Sequence, residues 1–124
     1  MKKELILMTT LAAATPALAD APLSSGQLDG LLKGNTLYIA TPDGEAPIYF
    51  AADGRAAANL PSGIELRGAW RLGDDHYCID WTNGPQNSCT AVRKADDKIM
   101  MTDLATADPR GTVSRIVPGN AESL

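Results

Sequence analysis

Residues 64–89 read IELRGAWRLGDDHYCIDWTNGPQNSC, and they decide the fold class. Ile64, Leu66, Gly68, Trp70 and Leu72 alternate with Glu65, Arg67, Ala69 and Arg71, the period of a strand with one face in a core and one in water. From His76 the alternation resumes, with Tyr77, Ile79 and Trp81 on one side and His76, Cys78, Asp80 and Thr82 on the other. A slip of one residue between two such strands would expose every aromatic on one of them, so the loop joining them must hold an even number of residues. A two-residue Gly73-Asp74 turn sets Trp70 against Tyr77, Gly68 against Ile79 and Leu66 against Trp81; a four-residue loop has the same parity. Further on, Cys78 facing Cys89 puts Asp80 opposite Asn87 and Thr82 opposite Pro85. That leaves Asn83-Gly84, the strongest hairpin dipeptide, as the turn, with Pro85 removing one turn hydrogen bond and loosening it. The disulfide then lies on the face opposite the tryptophans.

Working outward, short apolar runs are divided by turn signals about every ten residues, the spacing of an antiparallel meander. Leu37-Tyr38-Ile39 ends at Pro42-Asp43-Gly44, Ile48-Tyr49-Phe50 at Asp53-Gly54, and Arg55 to Leu60 at Pro61-Ser62-Gly63. Beyond Cys89 come strands at Thr90 to Lys94, Lys98 to Thr102 and Gly111 to Val117, with a turn at Ala95-Asp96-Asp97 and a tail from Pro118 expected to be loose. Ahead of the strands, Leu28, Leu31 and Leu32 at helical spacing, followed by Gly34, predict a helix of about two turns that plugs one end of a core. The expected fold is mainly β: about eight short antiparallel strands forming a small barrel or sandwich with a short N-terminal helix, its ordered core spanning about residues 24–117.

The first 19 residues read as an export leader. Lys2 and Lys3 precede an apolar run from Leu5, and Ala17-Leu18-Ala19 supplies a small-x-small cleavage pattern before Asp20. The apolar run is broken by Thr9, Thr10, Thr15 and Pro16, short of the ~20 residues that span a bilayer, so the mature chain is not expected to cross a membrane. Setting the leader aside leaves residues 20–124 as a single domain destined for the periplasm or beyond. In that oxidising setting Cys78 and Cys89, the two cysteines, are expected to pair. Of 11 basic and 15 acidic residues, removing Lys2, Lys3 and Glu4 leaves 9 and 14, a net charge of about −5. The basic residues are scattered singly, which argues against nucleic acid as a partner, since it demands clustered Lys and Arg.

Leu32-Lys33-Gly34-Asn35-Thr36, Tyr49-Phe50 followed by Asp53-Gly54, Gly68-Ala69-Trp70, Tyr77-Cys78-Ile79-Asp80-Trp81, Cys89 and the closing Pro118-Gly119-Asn120 together resemble small exported proteins of Gram-negative bacteria grouped as a domain of unknown function. The resemblance spans nearly the whole mature chain and implies no activity, so it carries no catalytic residue. In architecture the chain also resembles the small disulfide-bearing β domains that act as periplasmic lysozyme or protease inhibitors, a likeness of fold alone.

Chemistry-bearing residues are few. His76, Asp80 and Arg93 are expected on the face that carries the disulfide, and a histidine beside a carboxylate is a candidate general base. No positioned nucleophile is legible, and polar outer faces are ordinary for such a sheet. One histidine and two bridged cysteines fall short of a zinc set, and neither C-x-x-C-H nor a phosphate-cradling glycine loop is present, so neither metal nor cofactor is expected. Asp74-Asp75 and Asp96-Asp97 suit turns. Trp70 and Trp81 would stack on a ligand in an open barrel, but aromatics on an alternating strand are more often core. The expectation is an exported, non-enzymatic module that binds an envelope protein or cell-wall component, as an accessory factor or inhibitor. The alternatives are a small hydrolase using His76 and Asp80, and a carrier using Trp70 and Trp81.

Overall fold

The computed structural model describes residues 21–124, so the leader expected at 1–19 lies outside the described residues. Among the described residues one helix, α1 (Ser25–Leu32), precedes eight strands: β1 (Asn35–Thr41), β2 (Gly44–Phe50), β3 (Arg55–Asn59), β4 (Glu65–Gly73), β5 (His76–Trp81), β6 (Ser88–Ala95), β7 (Lys98–Asp103) and β8 (Pro109–Pro118). They close in sequence order into an antiparallel barrel, β8 pairing with β1. Of the two architectures the sequence left open, this is the one that leaves no sheet edge. No helix among the described residues is long and apolar enough to cross a membrane.

Because the strands alternate in direction, every second connection lies at the same end. One end holds α1, residues 51–54, the 74–75 and 96–97 turns, and the tail after β8. The other holds residues 42–43, 60–64, 82–87 and 104–108. Helix α1 is started by a capping box: Ser24 Oγ accepts from the Gln27 backbone N–H at 3.3 Å, and Gln27 Oε1 accepts from the Ser24 N–H at 2.9 Å. Leu28 and Leu32 are fully buried in the core, and Leu31 packs against it. After the helix, Gly34 takes φ +77°, a conformation that costs glycine little, and its N–H donates to the Phe50 carbonyl at 2.7 Å.

The barrel interior is packed with side chains. Phe50 lies edge to face with both Trp70 and Tyr77, centroids 5.5 and 5.3 Å apart. Leu37, Ile39, Ile79, Trp81, Val92 and Met101 surround them. The polar atoms of two buried aromatics are satisfied: the Trp70 indole N–H donates to the Ala51 carbonyl at 2.8 Å, and the Tyr77 hydroxyl reaches Met101 Sδ at 3.6 Å. Burial raises the Tyr77 pKa above its ordinary value. The strands approach closely where a side chain is missing: a Cβ on Gly68 would lie 2.2 Å from the Asp80 carbonyl oxygen, so β4 and β5 can come together there only around glycine.

The structure corrects several details. The β4–β5 register pairs Leu72 with Tyr77, Trp70 with Ile79 and Gly68 with Trp81, two residues from the Gly73-Asp74 alternative. It is the register of the four-residue loop, tightened by a further Gly73–His76 pair, so that Asp74-Asp75 makes the turn and Asp75 takes φ +60°. Parity is kept, hence the aromatics stay inside. The Asn83-Gly84 hairpin does not form. The β5–β6 ladder pairs Tyr77 with Thr90, Cys78 with Cys89 and Ile79 with Ser88, then opens into a loop in which the Pro85 carbonyl accepts from the Trp81 N–H at 3.1 Å. Ile64, expected on the core face, is 55% exposed because β4 begins one residue later.

The segment after Pro118 is held against the barrel wall. Thr36 Oγ1 donates to the Gly119 carbonyl at 2.7 Å and accepts from the Ala121 N–H at 3.1 Å, while the Tyr38 hydroxyl donates to Glu122. Thr36 and Tyr38 belong to the outer alternation of β1, yet both are buried under this tail. The continuous Leu37-Tyr38-Ile39 run is therefore apolar on both faces for different reasons.

Candidate functional site

The end opposite α1 carries the surface best suited to recognition. Between residues 82–87 and 104–108 lies a groove of about 610 Å³ whose walls include Gln86, Asn87, Ser88, Asp103, Leu104 and Arg110. A second groove, of about 480 Å³, lies at the same end between the β1–β2 turn and residues 60–62. The exposed large hydrophobics among the described residues, Ile64 (55%) and Leu104 (46%), both belong to loops of this end.

These loops are pinned by their own side chains. Asn83 Oδ1 accepts from the Arg67 N–H at 3.0 Å, and Asn83 Nδ2 donates to the Glu65 carbonyl at 2.8 Å. Gln86 Nε2 donates to the Trp81 carbonyl at 2.6 Å, and Asp80 Oδ1 accepts from the Asn87 N–H at 2.6 Å. Across the groove, Asp103 accepts from the Ala105 N–H at 2.8 Å through Oδ1 and from Arg110 Nη2 at 2.6 Å through Oδ2. The same Arg110 nitrogen donates to Ser88 Oγ at 3.1 Å and so ties both sides of the groove together. Asn87 (φ +50°) and Ala107 (φ +65°) are held in the left-handed region, which an alanine adopts only when its surroundings dictate it. Beside the second groove, the second residue of β2 is Glu45, whose carboxyl is held below its ordinary pKa first by the Ser114 hydroxyl and then by Arg115.

The residues singled out from sequence fall elsewhere. Trp70 and Trp81 are core, 8% and 6% exposed, packed with Phe50, Tyr77 and Ile79 where a carrier would need space. Cys78 and Cys89 are bonded across β5 and β6. His76 and Asp80 flank them on the same strand face, but no hydrogen bond joins the two. His76 Nδ1 is 2.6 Å from the Asp74 carbonyl, and Asp80 is bound by Arg71 Nη1 at 2.7 Å and by the Asn87 N–H. Arg71 also reaches Asn87 Oδ1 at 2.7 Å. The carboxylate thus braces the 82–87 loop. Arg93 pairs with Pro22 where residues 22–23 extend the sheet beside β6, the Leu23 N–H donating to the Val92 carbonyl at 2.8 Å.

The groove itself went unread in the sequence. Residues 103–110 showed no alternation, and a leucine in a loop looks the same in one dimension whether it ends up exposed or buried. The available signal was length: the 104–108 connection has five residues, whereas the 74–75 and 96–97 turns have two each. No protein-family model, curated protein or solved structure matches this chain.

Proposed function

We propose that this chain is an exported, non-enzymatic binding module of the cell envelope, an accessory factor or inhibitor, which engages a partner protein with the end of its barrel opposite α1. The observation that carries the proposal is the gathering at one end of the exposed large hydrophobics among the described residues and of the two larger grooves, on loops already fixed by hydrogen bonds, while a pocket of only about 100 Å³ lies beside Ala51 and Leu124. Rigid loops lose little entropy on binding, and an apolar side chain at the rim of a polar groove is a natural anchor. The packed interior speaks against the carrier alternative. The separate bonding of His76 and Asp80 speaks against the hydrolase. Export rests on the sequence of residues 1–19 and on the resemblance to exported Gram-negative domains.

A photoreactive amino acid placed at Ala105 in the groove, and separately at Lys33 beside α1, tests this in the native cell envelope. The expected result is a discrete crosslinked protein from position 105 and none from position 33. Equal labelling at both positions, or none while the protein is folded and abundant, overturns the assignment of the surface. Intact mass of the purified product should lack residues 1–19 and be two hydrogens lighter than the dithiol; retention of the leader overturns export.

A further inference from the structure

We propose that reducing the Cys78–Cys89 disulfide converts the outer wall of β5 and β6 into a site for a thiophilic metal ion of the Zn²⁺ type, ligated by the two thiolates and the His76 imidazole. His76 and Cys78 stand two apart on β5 and so share a face, and Cys89 is directly across on β6. One ligand atom from each of the three residues lies within 4.8 Å of the others.

The imidazole is seated in a way that leaves one nitrogen for a metal. The Nδ1–H donates to the Asp74 carbonyl at 2.6 Å, which leaves the Nε2 lone pair free in the neutral ring. A histidine ligand held by its other nitrogen on a carbonyl is a common metal-site arrangement. On β4, the cross-strand partner of His76 is Gly73, and a Cβ there would fall 2.4 Å from Nε2 and 2.7 Å from Cε1. The ring therefore occupies space that only glycine vacates. Two sulfurs and one nitrogen are a donor set that suits three positions of a tetrahedral d¹⁰ ion.

The reductant required is a dithiol. Its two sulfurs join as a disulfide while the Cys78–Cys89 bond breaks, and the two electrons and two protons it gives up leave Cys78 and Cys89 as thiols. Binding of M²⁺ forms two sulfur–metal bonds and one nitrogen–metal bond, and both thiol protons pass to solvent. The site lies on the barrel wall but adjoins the groove, which Cys89 helps to line, its Sγ 3.5 Å from Asn87 Oδ1; the metal proposal does not rest on the binding role of the loops.

The test is to reduce the purified full chain with dithiothreitol, exchange it anaerobically into buffer free of thiol, and titrate with Co²⁺. The expected result is a thiolate-to-cobalt charge-transfer band saturating at one ion per chain, erased by Zn²⁺ and absent from the oxidised protein. His76→Ala should weaken binding by more than about tenfold, and Gly73→Ala, which touches no ligand bond, by about tenfold through displacement of the ring. No band in the reduced protein, or an unchanged affinity in His76→Ala, overturns the proposal. Should reduction alone unfold the barrel, Zn²⁺ is expected to restore native tryptophan emission in the wild type but not in His76→Ala. Failure to restore it overturns the proposal equally.

Discussion

The two ends of this barrel are made by the same alternation of strand direction, yet they are finished by different chemistry. At the helix end, Leu28, Leu32 and Phe50 are fully buried, and Asp75 and Asp96 sit in two-residue turns, where a short acidic side chain tolerates left-handed backbone. At the other end three of the four loops are longer, Ala107 is held left-handed, Ile64 and Leu104 face outward, and Asn59 Oδ1, where β3 ends, is buried with no hydrogen-bond partner among the described residues. An orphaned buried acceptor costs about 1–3 kcal/mol and a strained residue about the same. The fully buried Leu28, Leu32 and Phe50 thus close one end, while the exposed Ile64 and Leu104 and the orphaned Asn59 acceptor lie at the other. Such a division lets recognition loops vary without dissolving the core.

Substitutions can break that comparison. The largest effect is expected for Phe50→Ala, which removes a fully buried ring from between Trp70 and Tyr77 and should cost about 3–5 kcal/mol in denaturant unfolding. A loss below about 1 kcal/mol would mean that the helix end is not the stabilising half. The double variant Cys78→Ser with Cys89→Ser opens a short cross-linked loop on the wall between the ends, a sequence separation of 11. It should cost about 3 kcal/mol, read from the thermal midpoint. Ser24→Ala removes the capping hydroxyl of α1 and should cost about 1 kcal/mol, with the barrel still folded by near-ultraviolet circular dichroism.

Ile64→Asp and Leu104→Asp sharpen the comparison from the other side. Both residues are exposed, so stability should move by no more than about 0.5 kcal/mol. Crosslinking from position 105 should nevertheless fall. A large destabilisation with crosslinking intact would reverse the roles of the two ends.

The smallest effect concerns the tail that returns from the helix end. The hydrogen bond to Glu122, followed by burial, raises the Tyr38 pKa despite the guanidinium of Arg115, which lies 3.7 Å from the ring centroid. A phenol whose folded pKa is raised contributes stability that is full below the unfolded value of about 10 and is lost as the pH rises through the folded value. Glu122→Gln should therefore move phenolate formation at Tyr38 to lower pH in an ultraviolet titration. No movement would mean that the tail does not hold this hydroxyl.

Most of the barrel was legible because alternation in Leu66 to Leu72 and Tyr77 to Trp81 reports a local property, the direction of each side chain. The pairing of Cys78 and Cys89 was expected from two cysteines in an oxidising setting, and it stands although the Asn83-Gly84 turn drawn from it does not form. What failed were choices that parity does not make. Gly73-Asp74 and Asp74-Asp75 both preserve it, and the second wins where Gly73 gives the His76 ring room. Asn83-Gly84 had the dipeptide for a tight turn, but Asn83 is bound to Arg67 and Glu65 on another strand, a tertiary preference stronger than the local one. Nor could the residues of the groove be read locally, since Ser88 and Arg110 are 22 positions apart and meet only when β7 and β8 close the circle.

Sequence by itself determined the strand count, the inward set of aromatics, the short helix carrying Leu28 and Leu32, and the disulfide, because each depends on local spacing or on residue type. Only the tertiary structure decided that the sheet closes as a barrel, that the segment after Pro118 covers Thr36 and Tyr38, and that the opposite end presents Ile64 and Leu104. Those outcomes depend on contacts between residues distant in the chain, and no local periodicity records which of them close.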